Sequence, residues 1–173
     1  KDRFQAPDYY LIDELLTDEQ KNIRESVRTW LNKNILPHIE DWNQEASFNP
    51  QLMQQLGSIG CLGPHIPTKY GGGGLDAVTY GILMQELERA DSGIRSCASV
   101  QSSLVMYPIW KFGTEEQKMK FLPGLAKGEL IGSFGLTEPN HGSNPSGMET
   151  KIQKTDGGYI LNGAKMWITN SPD

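Results

Sequence analysis

The sequence predicts an α+β fold: a helical domain over residues 1–129, then the opening strands of a β domain over 130–173. Three observations point that way. Two capping boxes, Thr17-Asp18-Glu19-Gln20 and Thr114-Glu115-Glu116-Gln117, each precede apolar residues at helical spacing. From Glu129 onward the patterning switches to period two, which is strand spacing. Asp156-Gly157-Gly158 then supplies the turn of a hairpin.

The elements follow in order. Residues 1–16 read as an irregular entry with one helical turn near Leu11 to Leu16. Behind the first capping box, Ile23, Val27, Trp30 and Leu31 form one buried face, and Pro37 ends or kinks that helix near Leu36. A short continuation over 38–46 is expected. Asn49-Pro50 signals a new helix, with Leu52, Met53 and Leu56 inward and Gly57 and Gly60 as its stop. Asp76 caps a helix over 77–90 with Tyr80, Leu83, Met84 and Leu87 as its core stripe. Ser92 is the expected cap of another helix over 94–106, which Pro108 interrupts. The helix behind Thr114 carries Met119, Phe121 and Leu122 and ends near Pro123-Gly124. Strands are expected over 131–137, 149–154, 159–162 and 165–169. Ending at Asp173, they leave an unpaired edge, so the chain reads as a portion of something larger.

Composition narrows the function. The net charge is -5 with signs interspersed and no basic run, which argues against nucleic acid or an anionic membrane surface. No apolar stretch approaches the roughly 20 residues of a membrane span. Two cysteines, Cys61 and Cys97, make no disulfide framework, and His38, His65 and His141 lack metal-ligand spacing. Gly71-Gly72-Gly73-Gly74 is not a phosphate loop, because no strand precedes it and no Gly-Lys-Ser/Thr follows; a flexible turn is expected.

Two stretches carry chemistry. At the start of the 94–106 helix stand Arg95, Ser96 and Ser99. A cation there opposes the helix dipole by roughly 0.3–1 kcal/mol. Either the guanidinium, the hydroxyls and the free N–H groups hold an anion, or Arg95 is an exposed residue paired with Glu88 or Asp91. The second stretch pairs a strand that stops at a turn, Phe134-Gly135-Leu136-Thr137-Glu138-Pro139-Asn140-His141-Gly142-Ser143, with Lys165-Met166-Trp167-Ile168-Thr169-Asn170. On a strand, Lys165, Trp167 and Thr169 share one face, so an indole and a hydroxyl can meet one flat heteroaromatic ligand; ordinary sheet residues would look the same.

These residues resemble the flavin-binding signature of the acyl-CoA dehydrogenases. Arg95-Ser96-Cys97-Ala98-Ser99-Val100-Gln101-Ser102-Ser103 and Met148-Glu149-Thr150 look most like the glutaryl-CoA dehydrogenase branch. The resemblance runs from about Tyr10 to the end and implies a helical domain, a central β-barrel-like domain and a C-terminal helical bundle beyond this sequence. It also implies FAD as cofactor, with Phe134, Gly135, Leu136, Thr137, Gly142 and Ser143 along the cofactor, Trp167 and Ile168 against its ring and Thr169 near N5. Arg95, Ser96 and Ser99 then hold the distal carboxylate of glutaryl-CoA, Glu88 joins the charge network, and Ser143 also nears the CoA part. The implied reaction is oxidation with decarboxylation to crotonyl-CoA, passing electrons to electron-transfer flavoprotein. A homotetramer in a bacterial cytoplasm or mitochondrial matrix is implied too, with the bacterial setting favoured because no transit segment is visible.

The family's catalytic Glu falls C-terminal to Asp173, so no base is named here, and these 173 residues alone are expected to bind FAD poorly without turnover. Asn144 stands where the family usually has Asp. The competing readings are a dehydrogenase of another short or branched acyl-CoA, and a non-catalytic truncated relative.

Overall fold

The computed structural model describes residues 7–47 and 49–171. The first part of the expected entry segment, residues 1–6, and the last edge residues, 172–173, lie outside it. The architecture is a helical domain followed by two antiparallel strands. After a 3-10 turn, Ile12–Leu15, come α1 (Asp18–Asn34), α2 (Ile39–Gln44), α3 (Leu52–Ser58), α4 (Ala77–Ala90) and α5 (Ser92–Ser99). A π-helical stretch, Val100–Met106, leads without a break into α6 (Tyr107–Phe112), and α7 (Glu115–Ala126) follows. The strands are β1 (Lys151–Thr155) and β2 (Gly158–Asn162).

Both capping boxes form. Thr17 Oγ1 accepts from Gln20 N while Gln20 Oε1 accepts from Thr17 N, and Thr114 and Gln117 repeat the pair. Such a cap is worth roughly 0.5–2 kcal/mol. Asp76 caps α4 through Thr79 N at 2.7 Å.

α1, α4 and α5 pack side by side over a core shared with α3, which holds Val27, Leu31, Leu56, Leu83, Leu87 and Ala98. Each large aliphatic side chain fully removed from water contributes roughly 1.5–3 kcal/mol. The α4 stripe also hides a charge: Glu86, 1% exposed, accepts from Arg28 Nη2 at 2.7 Å and from Arg89 Nε at 3.1 Å, bridging α1 and α4. A second cluster, with Ile66, Tyr70, Met106, Leu122 and Leu125, sits under α7.

Pro37 ends α1 as expected: the helix stops at Asn34 with Ile35 as its C-cap, because the ring disfavours helical backbone just ahead of it. Four other helix expectations need correction. α3 begins at Leu52, not at Pro50; Asn49 Oδ1 accepts from Gln51 N in a turn before the helix. Asp91, not Ser92, caps α5, since Asp91 Oδ1 accepts from Ile94 N while Ser92 Oγ donates to Glu88. Pro108 does not interrupt the next helix. The π-helical stretch before it has already shifted the bonding register, so the missing N–H breaks no continuous ladder. α7 runs through Pro123 to Ala126.

The four-glycine segment is a turn before α4 with Gly71, Gly73 and Gly74 exposed, and it is packed at Gly72, where a Cβ would collide with the Ile66 carbonyl; Gly71 (φ 86°) lies against Pro123. Met119 (57% exposed) and Phe121 (37%) point outward, leaving Leu122, Leu125 and Ala126 as the α7 core.

The hairpin forms as expected. Thr155 faces Gly158 across Asp156-Gly157, Gly157 takes φ 98°, and β1 starts at Lys151 rather than at Glu149. The strands expected over 131–137 and 165–169 do not form. Both stretches are extended or irregular, with an isolated bridge between Glu138 and His141. Where they run together, Met166 N donates to Thr137 O at 2.9 Å, too little for a ladder.

Candidate functional site

The site is built where α5 and two irregular segments meet. Segment 132–137 runs beside segment 165–170. Besides the Met166–Thr137 bond, Lys165 Nζ donates to Leu136 O at 2.9 Å, and its stem lies 3.4 Å from where a Gly135 Cβ would stand. Lys165 is anchored in turn by Glu138, 4% exposed, at 2.9 Å. Glu138 also accepts from Glu149 N at 2.5 Å and Thr150 N at 2.9 Å. Thr150 first, then the Glu149 N–H and the Lys165 ammonium hold this carboxyl well below the usual carboxylate range, against the opposing effect of burial.

The two stretches read from sequence as ligand segments are thus brought together, but not as one strand face. Trp167 adopts φ 58°, which breaks the strand alternation. Lys165 is tied inward to Glu138, the Trp167 indole is 86% exposed, and Ile168 and Thr169 are half-buried. Phe134 is 41% and Leu136 37% exposed. An open indole beside an exposed backbone edge can receive a flat ring. Gly142 and Ser143 lie in the exposed turn after the Glu138–His141 bridge, and nothing stands within 4 Å of a Gly142 Cβ. Asn144 leads into a 3-10 turn, Pro145–Gly147, and its carbonyl accepts from Gly147 N at 3.2 Å.

On α5, Arg95 Nε donates to Glu88 Oε2 at 2.5 Å, and Arg95 Nη1 reaches Ser99 Oγ at 3.5 Å. Ser92 Oγ donates to the other Glu88 oxygen at 2.6 Å. Arg95 and then Ser92 lower the Glu88 pKa. The pairing of Arg95 with Glu88 weighed from sequence is therefore present, and Asp91 is engaged elsewhere, as the α5 cap. Ser96 is half-buried, and its carbonyl accepts from Ser99 Oγ at 3.0 Å. Glu88 compensates one side of the guanidinium, whose side chain remains 36% exposed.

Sequence reasoning missed two residues that hold these parts together. Gln101, fully buried in the π-helical stretch, donates from Nε2 to Leu125 O (2.9 Å) and Leu130 O (2.7 Å), and accepts at Oε1 from Gly132 N (2.8 Å). Asn170 Nδ2 donates to Cys97 O and Gly132 O, both at 3.2 Å. A glutamine in a helical run carries no pattern signal; its partners are backbone groups far along the chain.

Among the described residues no helix is long and apolar enough to cross a membrane, and no group of three His, Cys, Asp or Glu can hold a metal. Cys61 and Cys97 are free thiols, and burial pushes Cys61 up to about 12.

Residues 17–129 match the family model of the acyl-CoA dehydrogenase N-terminal domain, and residues 133–173 that of the middle domain. Among similar proteins, the probable acyl-CoA dehydrogenase YngJ of Bacillus subtilis is 42% identical over 158 residues, covering 90% of this chain and 41% of that protein. The mitochondrial isovaleryl-CoA dehydrogenase of Solanum tuberosum is 38% identical, covering 91% and 39%. A glutaryl-CoA dehydrogenase structure from Mycobacterium smegmatis superposes with TM-score 0.87 at 47% identity, covering 91% of this chain and 41% of that one. Another from the same organism, in complex with FADH2, gives 0.89 at 45%, covering 92% and 41%. The chain spans about two fifths of the length of these relatives. With both domain models matched in order along its length, the chain belongs to the acyl-CoA dehydrogenase family.

Proposed function

We propose that the protein carrying this chain oxidises glutaryl-CoA with FAD as its cofactor, the product being decarboxylated to crotonyl-CoA and the electrons passing to electron-transfer flavoprotein. The observation that carries the substrate is Arg95, whose side chain is 36% exposed at the start of α5 with Ser99 Oγ 3.5 Å from Nη1. A monoacid thioester has no use for a cation there; a diacid thioester does. Glu88 sets the orientation of the guanidinium from Nε, which leaves the remaining nitrogens for a carboxylate. The similarity to the two Mycobacterium smegmatis structures favours this branch, while isovaleryl-CoA and general acyl-CoA dehydrogenases among the relatives keep another short or branched acyl-CoA as the second reading.

FAD, when bound, supplies the hydride acceptor. The residues present fit it. The exposed Trp167 indole with half-buried Ile168 and Thr169, and the neighbouring segment of Phe134, Gly135, Leu136 and Thr137, would hold its ring, and the exposed turn at Gly142 and Ser143 would take phosphate or CoA oxygens. Lys165 and Glu138 keep the two walls in register. In this division of labour residues 1–129 read the substrate and 130–173 begin the cofactor wall, within a homotetramer.

A hydrogen bond to a charged group is worth roughly 1.5–3 kcal/mol, which is more than tenfold in discrimination. In the intact FAD-loaded protein, Arg95→Ala therefore lowers kcat/KM for glutaryl-CoA at least tenfold more than for butyryl-CoA. Steady-state kinetics on both thioesters decides it, and equal losses would overturn the diacid reading.

A further inference from the structure

The geometry points to Asn170 as a positioning residue that fixes the spacing between the cofactor wall and the substrate-reading start of α5. It rests on the reading proposed above and adds the part that couples its two halves. Asn170 follows Thr169 in a turn where Ser171 N donates to Ile168 O at 3.2 Å. Its φ is 64°, a conformation that Asn tolerates better than most residues. Both donors of its Nδ2 are used: one carbonyl is Cys97 O on α5, the other Gly132 O on the segment leading to Phe134. The Cys97 carbonyl also accepts from Val100 N where α5 passes into the π-helical stretch. The half-buried amide is thus seated on the helix between Ser96 and Ser99, two residues from Arg95. Three pieces meet at one side chain: the helix that presents the cation, the wall with Phe134, and the wall with Trp167. Gln101 and Lys165 each hold a neighbouring pair of these pieces, while Asn170 touches all three. An aspartate of the same shape would set a carboxylate against two carbonyls and would not serve.

The test uses Asn170→Gly, which deletes the amide without straining the positive φ, and Asn170→Asp, which keeps shape and removes both donors. In the FAD-loaded protein both variants reduce the ratio of glutaryl-CoA to butyryl-CoA turnover per bound flavin by fivefold or more, assayed well below the Tm of either variant. Without FAD or substrate, hydrogen exchange at the amides of Met166 and Ser171 speeds up in both variants, while the amides of α1 and α4 keep their protection. A lowered Tm with an unchanged turnover ratio makes the amide a stability contact only and overturns the proposal, as does unchanged exchange at 166 and 171. Failure of the unsubstituted protein to oxidise either thioester would instead refute the proposed substrate, and the exchange measurement would still judge Asn170.

Discussion

Glu138 stays charged at 4% exposure because two backbone N–H groups and the Lys165 ammonium point at it. Its folded pKa is lowered, so the sign of its pH effect is fixed. Above about pH 4.3, the usual glutamate value, it is ionised in both the folded and unfolded states and its contribution is complete. As pH falls below that, the unfolded chain takes up a proton that the native one refuses, and stability drops. Glu138→Gln removes this contribution. The urea midpoint of the variant changes less between about pH 5 and pH 3 than that of the unsubstituted chain; parallel profiles would show that Glu138 does not carry the acid sensitivity. Arg95 teaches the opposite lesson about single residues. Its two sequence readings, anion holder and surface ion pair, were not exclusive: Glu88 engages Nε and leaves the other side of the fork open to Ser99 and solvent.

Local signals were legible in part: Asn49-Pro50 and Ser92 misplaced a helix start and a cap, but other caps and the hairpin turn were read correctly. Both capping boxes, the Asp76 cap and the Asp156-Gly157 turn depend on residues within four positions of one another, and all formed. The π-helical stretch was not legible, because Pro108 announces a missing donor but not how neighbouring turns absorb it. Nor were the walls of the site. Their period-two patterning is real, yet a strand needs a partner along its length, and segments 131–137 and 165–169 find each other at one backbone bond and through side chains. Gln101 and Gly132 show how the helical domain grips the first wall. Gly132 N donates to Gln101 Oε1 at 2.8 Å, and a Cβ on Gly132 would stand 2.5 Å from Val105 Cγ1. Gly132→Ala therefore costs about 1–3 kcal/mol as overpacking. Val105→Ala vacates that position, so the double variant recovers part of the loss. Urea unfolding of the four chains measures it, and strictly additive losses would mean the two residues do not compete for space.

At the scale of the whole molecule, stability is divided unevenly. The helices close over two buried clusters, and Glu86 ties α1 to α4 from inside. The hairpin has no such support: every residue of β1 and β2 is exposed, including Ile152 (65%), Ile160 (55%) and Leu161 (72%). Sequence could place those strands by their turn and patterning, but what lies against a strand face is a tertiary fact that no local pattern encodes. A two-stranded hairpin with both faces in water is marginal at best. In the 173-residue chain, the β1 and β2 amides should therefore open independently of the core and exchange within about tenfold of unfolded rates, whereas those at Leu31 and Leu87 open only with global unfolding. Hydrogen exchange followed by residue-resolved NMR checks this. Protection of Ile160 and Leu161 equal to that of Leu87 would mean the hairpin belongs to the same cooperative unit as the helices, with the Glu138 bonds tying Thr150 and Lys165 together and the Gln101 and Asn170 bonds tying segments 132–137 and 165–170 to the helical core.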